Sequence, residues 1–377
     1  MSRSLGPSSV AVDTAADAGR RASGAVEERC VWMAPCPSDS SVGVVLINYR
    51  TPLATRRCIE SLAVLDPAPS WIVVLDNAPE DPEAILGPEI LEPLQRTSLR
   101  LFVSSINLGF AAGCNFAIDV LLEDARCCAI LLLNNDAIAL PPLMRELLSA
   151  LARSPDAGMV GGRLHDLQDP DSVDTLGIAL HASLMPANRL DVREPFLGPT
   201  GGCALLERDF VLDMRSSFGY VLDPRFFCYC EDTDLAVRAL LKGYRPVYVD
   251  ERVALHQGQG STEKGYNPFI AYHGLRNVIW MHAKWFSTRL LLRQALWLLL
   301  AHALAVTRHL LAVHPGIVYR VYRDAYRGLP AFIAERRAHQ ALVRQGASRL
   351  ADRMSRRFYQ PGYFKLALRQ LGALYRR

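Results

Sequence analysis

Leu131–Leu140 reads LLLNNDAIAL. A run of Leu breaks into Asn134-Asn135-Asp136, and a second apolar run follows at once. With Cys127–Ile130 ahead of it, the run has the length and continuity of a strand buried on both faces. Its end places two amides and a carboxylate where the strand leaves the core. Three upstream stretches repeat the pattern. Val42–Ile47 is short and rich in β-branched residues, and it ends at Asn48-Tyr49. WIVVLDN ends at Asp76-Asn77. LRLFVSS is followed by Asn107-Leu108-Gly109. Between them lie helical patterns, first TPLATRRCIESLAVL, with Thr51 as N-cap, Pro52 in the first turn and Leu53, Ile59, Leu62 and Ala63 on one face. NLGFAAGCNFAIDVLLEDA and PPLMRELLSALARSP are the others. Strand and helix alternate four times with short links, which predicts a doubly wound, mostly parallel α/β sheet. Such sheets bind ligands at the carboxyl ends of their strands. Asn and Asp also suit turns and helix caps. Four polar strand ends in a row point instead to a site along that edge.

The 377 residues suffice for one large domain with an appendage, and 50% hydrophobic content supports a sizeable core. Residues 1–40 are rich in Ala, Ser, Gly, Pro and charge, with no apolar stretch of signal-peptide length. They are read as a disordered leader. Nine cysteines without a CxxC pair fit reduced, mostly buried thiols in a cytoplasmic protein. From Arg320 to Arg377 fourteen Lys/Arg face three Asp/Glu, a local charge of +11 in a chain whose total is +4. A basic tail on a mildly acidic body suits an anionic partner, and a solvated helical surface explains it equally well.

A second acidic cluster lies far downstream. In RFFCYCEDTDLAVRALLKGYRPVYVDERVALH, Glu231, Asp232 and Asp234 open a helix that ends at Gly243; a strand follows, with His256 just beyond it. The first turn, NYRTP, lacks the GxGxxG of a dinucleotide-binding domain. No GxxxxGK[ST] or GxSxG is present, which sets aside P-loop and α/β-hydrolase chemistry. Oxygen donors suit hard divalent cations. Asn134-x-Asp136 with a distant His256 therefore has the character of a metal–diphosphate site, and Glu231-Asp232 offers a carboxylate to deprotonate a hydroxyl. Singly, each motif also serves as a turn or an N-cap. Arg238 suits either a phosphate or the neighbouring acids.

Residues 42–261 resemble family 2 inverting glycosyltransferases of GT-A fold, in the bacterial rhamnosyltransferase-like branch. The matching segments are VVLINYRT, VVLDNA, NLGFAAGCNFAI, LLLNNDAIAL and FFCYCEDTDLAVRALLKGYRPVYV…H, in the family's order and spacing. The resemblance implies that Asn48, Tyr49 and Asp76 contact the nucleoside of a dTDP- or UDP-sugar. It implies that Asn107, Gly109, Ala112, Gly113 and Asn115 line the nucleotide pocket. Asn134, Asn135 and Asp136 stand at the family's D-x-D, with Asn in place of the first Asp, so that Mg²⁺ or Mn²⁺ falls to Asp136, Asn134 and His256. Glu231 or Asp232 is the implied base. The loop Gly258–Gly265 suits a lid. A non-catalytic sugar-nucleotide-binding protein and a nucleotidylyltransferase are the competing readings. The former is disfavoured because the expected positions carry competent groups. The latter is disfavoured because NYRTPLATRR is not a Gly-rich basic loop.

The expected organisation is thus a leader (1–40), a GT-A domain (41–265) and a helical, basic C-terminal extension (266–377). Gln294–Thr307 is uncharged but too short to span a bilayer, which takes roughly 20 residues. Arg293 and Arg308 bracket it. It reads either as an interfacial helix anchored by Trp285 and Trp297, or as a buried helix packing on the domain or on a second subunit of a homo-oligomer. The acceptor is a hydroxyl of a glycan, a lipid-linked glycan or a small metabolite, and the apolar helices and Arg-rich tail favour a lipid-linked one at the inner face of the cytoplasmic membrane. No nucleic acid is expected.

Overall fold

The structure is a computed structural model that describes residues 24–34, 39–78, 86–87, 90, 94–257, 267–311 and 314–361. The expected lid and most of the expected leader lie outside these residues. The four anticipated strands form a parallel core: β2 (Val42–Asn48), β3 (Trp71–Asp76), β4 (Ser98–Ser104) and β5 (Ala129–Leu133). Every residue of β2 and β5 is buried. Alternate β2 residues face opposite cores: Val44 and Leu46 pack with α1 (Pro52–Ala63), Val45 and Ile47 with α2 (Gly109–Leu122). Leu53, expected on the inner face of α1, is exposed; the buried positions are Thr55, Cys58, Ile59 and Leu62. Each fully buried aliphatic side chain stabilises the fold by about 1.5–3 kcal/mol.

One strand lies inside the segment read as a disordered leader. β1 (Val26–Trp32) pairs antiparallel with β4 at the sheet edge. Val26, Cys30 and Trp32 are its partly buried apolar residues, and charged Glu27, Glu28 and Arg29 hide the pattern. Such charge suits an edge strand.

The apolar run after Asp136 is a short strand, β6 (Ala137–Ala139), followed by α3 (Pro142–Ala152). β7 (Met159–Asp166) and a short partner β8 (Val173–Thr175) come next, then a separate hairpin of β9 (Ile178–Leu180) and β10 (Pro186–Asn188). β11 (Cys203–Glu207) inserts antiparallel between β5 and β7. Helices α4 (Arg208–Phe218) and α5 (Glu231–Lys242) follow, and Gly243, with φ +102°, ends α5 as expected. β12 (Pro246–His256) runs parallel to β7 and antiparallel to β6. The sheet order is β1-β4-β3-β2-β5-β11-β7-β12-β6, with β8 beside β7. β2, β3, β4, β5, β7 and β12 point the same way, so the sheet is mostly parallel.

The C-terminal extension is helical: α6 (Pro268–Trp285), α7 (Thr288–Arg293), α8 (Ala295–Leu311), α9 (Pro315–Ala338) and α10 (Gln340–Asp352). α10 lies directly on α5, where a Cβ at Gly346 would meet the Leu241 backbone at 2.6 Å. Trp285, read as a membrane anchor, is instead fully buried, and its indole N–H donates to Asp234 at 2.6 Å. A large flat ring inside an apolar pattern suits core and interface alike, and here the core won. Among the described residues no helix is long and apolar enough to cross a membrane.

Candidate active site

At the end of β2, Asn48 is fully buried. Its Nδ2 donates to Asp76 at 3.1 Å, and its Oδ1 accepts from the Thr51 N–H and the Thr55 hydroxyl. It therefore joins two strand ends to the start of α1, where Thr51 makes no side-chain cap. Asp76, also fully buried, accepts from the Leu86 N–H at 2.6 Å. Burial raises its carboxyl pKa, and these hydrogen bonds partly offset the rise. Tyr49 is half-buried, with the Arg50 guanidinium 5.2 Å from its ring centre.

Asn77 and Asn107 shape the next strand end. Asn77 donates to Asn107 and to the Gly109 carbonyl, and accepts from the Leu108 N–H; Asn107 accepts from the Gly109 N–H at 2.9 Å. Gly109 has φ +77°, and a Cβ there would lie 2.5 Å from the Phe227 ring. Only glycine fits both demands. Three further residues expected in the pocket make packing contacts within the fold. Ala112 is buried. Gly113 lets α2 settle on the sheet, a Cβ there lying 3.1 Å from Leu75. Asn115 clamps the Leu222 backbone through both amide groups, at 2.6 and 2.9 Å.

The Asn134-Asn135-Asp136 turn meets His256 because β6 pairs with β12 in a register that sets His256 opposite Ala137. The His256 strand runs through to the histidine itself, so the ring is held by the sheet rather than by a loop beyond it. His256 Nε2 lies 3.0 Å from Asn134 Nδ2 and 3.3 Å from Asp136 Oδ1. Its Nδ1 lies 2.8 Å from Asp174 Oδ2. Burial opposes a charged ring, but Asp136 and Asp174 outweigh it and push the pKa up to about 10. Asn135 is bound elsewhere, donating to the Thr51 and Thr55 hydroxyls at 2.7 and 2.8 Å.

The family's divalent cation can be tested against these donors. Among the described residues no three His, Cys, Asp or Glu side chains converge as a complete cation cage. Asp136 and His256 supply a carboxylate and an imidazole, and Asp174 holds the far ring nitrogen, as a carboxylate behind a metal-bound histidine does. Mg²⁺ and Mn²⁺ commonly take one or two protein ligands and complete their shell with phosphate oxygens and water. The donor set fits such a cation.

The second cluster opens α5. Tyr229 and Cys230 just before it both have positive φ, of 70° and 69°. Asp232 Oδ2 accepts from the Gly201 N–H at 3.0 Å, and Oδ1 from the Thr233 N–H at 2.6 Å. Glu231 is buried, and its Oε2 has no partner among the described residues. Burial first, then the Asp232 charge, raises the Glu231 carboxyl well above the usual range. Asp232 is raised by burial too, against the pull of its backbone hydrogen bonds. The Gly201-Gly202 turn ties the clusters together: Gly201 holds Asp232, and the Gly202 carbonyl accepts from the Asn134 N–H at 3.0 Å. Tyr229 lies within electrostatic reach of Glu231 and Asp136.

Gly201, Gly202, Tyr229 and Asp174 were not singled out from sequence. The GPTGGC stretch was the one available signal, as a glycine-rich approach to a strand. Arg238 does not face the site. It is fully buried and pairs with Asp234 at 2.7 Å. Asp234 also accepts from Lys284 at 3.1 Å, and Lys284 reaches Asp223 at 2.6 Å.

The carboxyl edge of the sheet thus gathers a carboxylate–histidine pair and a second acidic cluster around one glycine turn. Residues 39–271 match the model of the glycosyltransferase-like family 2. The chain belongs to that family and is a glycosyltransferase. It is 28% identical over 282 residues to the N-acetylglucosaminyl-diphospho-decaprenol L-rhamnosyltransferase of Mycobacterium tuberculosis, covering 66% of this chain and 87% of that one. Similar solved structures include the mannosyltransferase PcManGT of Pyrobaculum calidifontis with GDP-Man and Mn²⁺ (17% identity, TM-score 0.48, 85% and 90% of the two chains). S. aureus TarS 1-349 is another (14%, TM-score 0.43, 80% and 91%).

Proposed function

We propose that this protein transfers a sugar, with inversion, from a nucleoside-diphosphate sugar to a hydroxyl of a lipid-linked glycan at the inner face of the cytoplasmic membrane. Rhamnose carried on dTDP is the first donor to try, because the mycobacterial relative is named for rhamnosyl transfer to a diphospho-decaprenol acceptor. The observation that carries the reading is the Gly201-Gly202 turn, which binds Asp232 on one side and Asn134 on the other.

In this reading Asp232 takes the proton of the acceptor hydroxyl. The freed oxygen attacks the anomeric carbon as the bond to the diphosphate breaks, in one in-line step. Asp136, His256 and Asn134 would hold Mg²⁺ or Mn²⁺, which neutralises charge on the departing diphosphate. Asp174 keeps the His256 ring oriented. Asn48 and Asp76 shape the pocket floor beneath the nucleoside, and half-buried Tyr49 lies beside them. Peripheral contact with an anionic membrane would bring the enzyme to its acceptor.

The test is nucleotide release. With Mn²⁺ or Mg²⁺ and a polyprenyl-diphosphate-linked acceptor, one of a panel of dTDP-, UDP- and GDP-sugars should yield free nucleoside diphosphate and a product heavier by one sugar. Chelation should abolish both. No release, together with no shift in Tm by any sugar nucleotide, would sink the proposal.

A further inference from the structure

We infer that the solvent face of α8 is a docking surface for an anionic lipid bilayer, lying along the membrane rather than through it. The inference rests on the reading of a lipid-linked acceptor. Leu296, Leu299, Leu300, Ala303, Leu310 and Leu311 recur at helical spacing and are all exposed, Leu296 by 74% and Leu299 by 68%. The opposite face of the helix is spoken for: His309 is buried, and His302 bonds the Tyr322 hydroxyl of α9 at 2.8 Å. The outer face is therefore an apolar stripe within a helix otherwise docked on its own protein. Soluble helices carry charge on that face.

The ends of the stripe say what covers it. Exposed Arg289 and Arg293 stand at one end, and Arg308 sits near the other. Apolar residues between cationic ends match the acyl and phosphate layers of a lipid surface. Trp297, 44% exposed, lies at the arginine-rich end, at the depth indole rings favour. A second copy of the chain is a poor cover. A two-fold contact through the stripe would bring the flanking Arg289, Arg293 and Arg308 against their own copies. Residues 362–377 are a poor cover for the same reason, since they add Lys365, Arg369, Arg376 and Arg377. An anionic bilayer complements both the stripe and its charge.

Co-sedimentation of the full chain with phosphatidylcholine vesicles, with and without phosphatidylglycerol, tests this. The parent protein should bind the anionic vesicles and lose binding as salt rises. Leu296→Ser/Leu299→Ser/Leu300→Ser should weaken binding about tenfold or more. Arg289→Ala/Arg293→Ala should weaken it on anionic vesicles alone. Both variants alter exposed positions and should keep the parent Tm and the parent rate on a water-soluble acceptor analogue. Equal binding by parent and triple-Ser variant overturns the inference, as does absence of parent binding to anionic vesicles. A triple-Ser variant with a lowered Tm or a changed sedimentation coefficient, and unchanged vesicle binding, also overturns it, because another copy or residues 362–377 then cover the stripe. If the parent binds vesicles as expected but releases no nucleotide from any sugar nucleotide, the docking surface stands and the proposed reaction falls.

Discussion

Glu231 and Asp232 are adjacent in sequence and opposite in surroundings. The Asp232 carboxylate is held by two N–H donors, whereas Glu231 is buried with one oxygen unpartnered. Asp232 is therefore the group placed to act as base, while burial and the Asp232 charge hold the Glu231 carboxyl well above the usual range. Asp232→Asn should cut turnover by roughly 10²–10⁴-fold while sugar-nucleotide binding persists. Glu231→Gln, which keeps the shape of a protonated Glu, should keep most activity. Because burial raises the Asp232 pKa, turnover of the parent should fall on the acid side at a pH above the ordinary aspartate range, and Asp232→Asn should lack that limb. Activity in Asp232→Asn with a dead Glu231→Gln would reverse the assignment. Much at this scale was legible: Asn134, Asp136, Glu231, Asp232 and His256 stand out by residue type at the ends of apolar runs. Asp174 was not, because nothing in SVDT marks it, and its role comes only from its distance to His256.

At the scale of elements, α5 owes its place to a neighbour outside the sheet. Asp234, two residues after the proposed base, accepts from Arg238, Lys284 and Trp285, and all four are buried. Lys284 also bonds Asp223 and the Tyr220 hydroxyl. A buried ammonium between two buried carboxylates is costly to delete, since each acid loses a counter-charge. Lys284→Met should lower stability to urea by about 3–5 kcal/mol. A loss below about 1 kcal/mol would mean that Arg225 and Arg238 neutralise the acids without it. The long strands and helices from β2 to α3 were readable because their apolar runs are continuous or periodic. β1 was not, since its charged middle conceals the alternation. β6 was not, since three residues carry no period. The Lys284 contacts were not, because they span 50 and 61 residues and local pattern does not report pairing at that range.

Across the whole molecule, histidines buried as neutral rings make stability sensitive to acid. Burial pushes His181 and His282 down to about 4, and His273 to about 3, with the Arg276 charge adding to the last. These folded values lie below the unfolded one near 6.5. As pH falls below about 6.5 the unfolded chain binds protons that the folded one refuses, so stability drops until the folded values are reached. The slope is at most roughly 1.4 kcal/mol per pH unit for each ring. Tm should therefore fall steadily from pH 6.5 to 4. A flat Tm across that window would mean that these rings are already charged in the native state.

The pairing of β6 with β12 also bears on the order in which the molecule comes together. Asn134 and His256 are 122 residues apart in the chain. Their contact closes one of the longer loops in the fold, and chain entropy is lost before it forms. The parallel core of β2 to β5 can assemble from shorter segments, and it already carries the Asn134-Asn135-Asp136 turn. In the finished sheet β11 and β7 lie between β5 and the strand that carries the histidine. The carboxylate–histidine pair is thus a late contact, and a chain arrested with its first four strands in place would have half of the site and none of its chemistry.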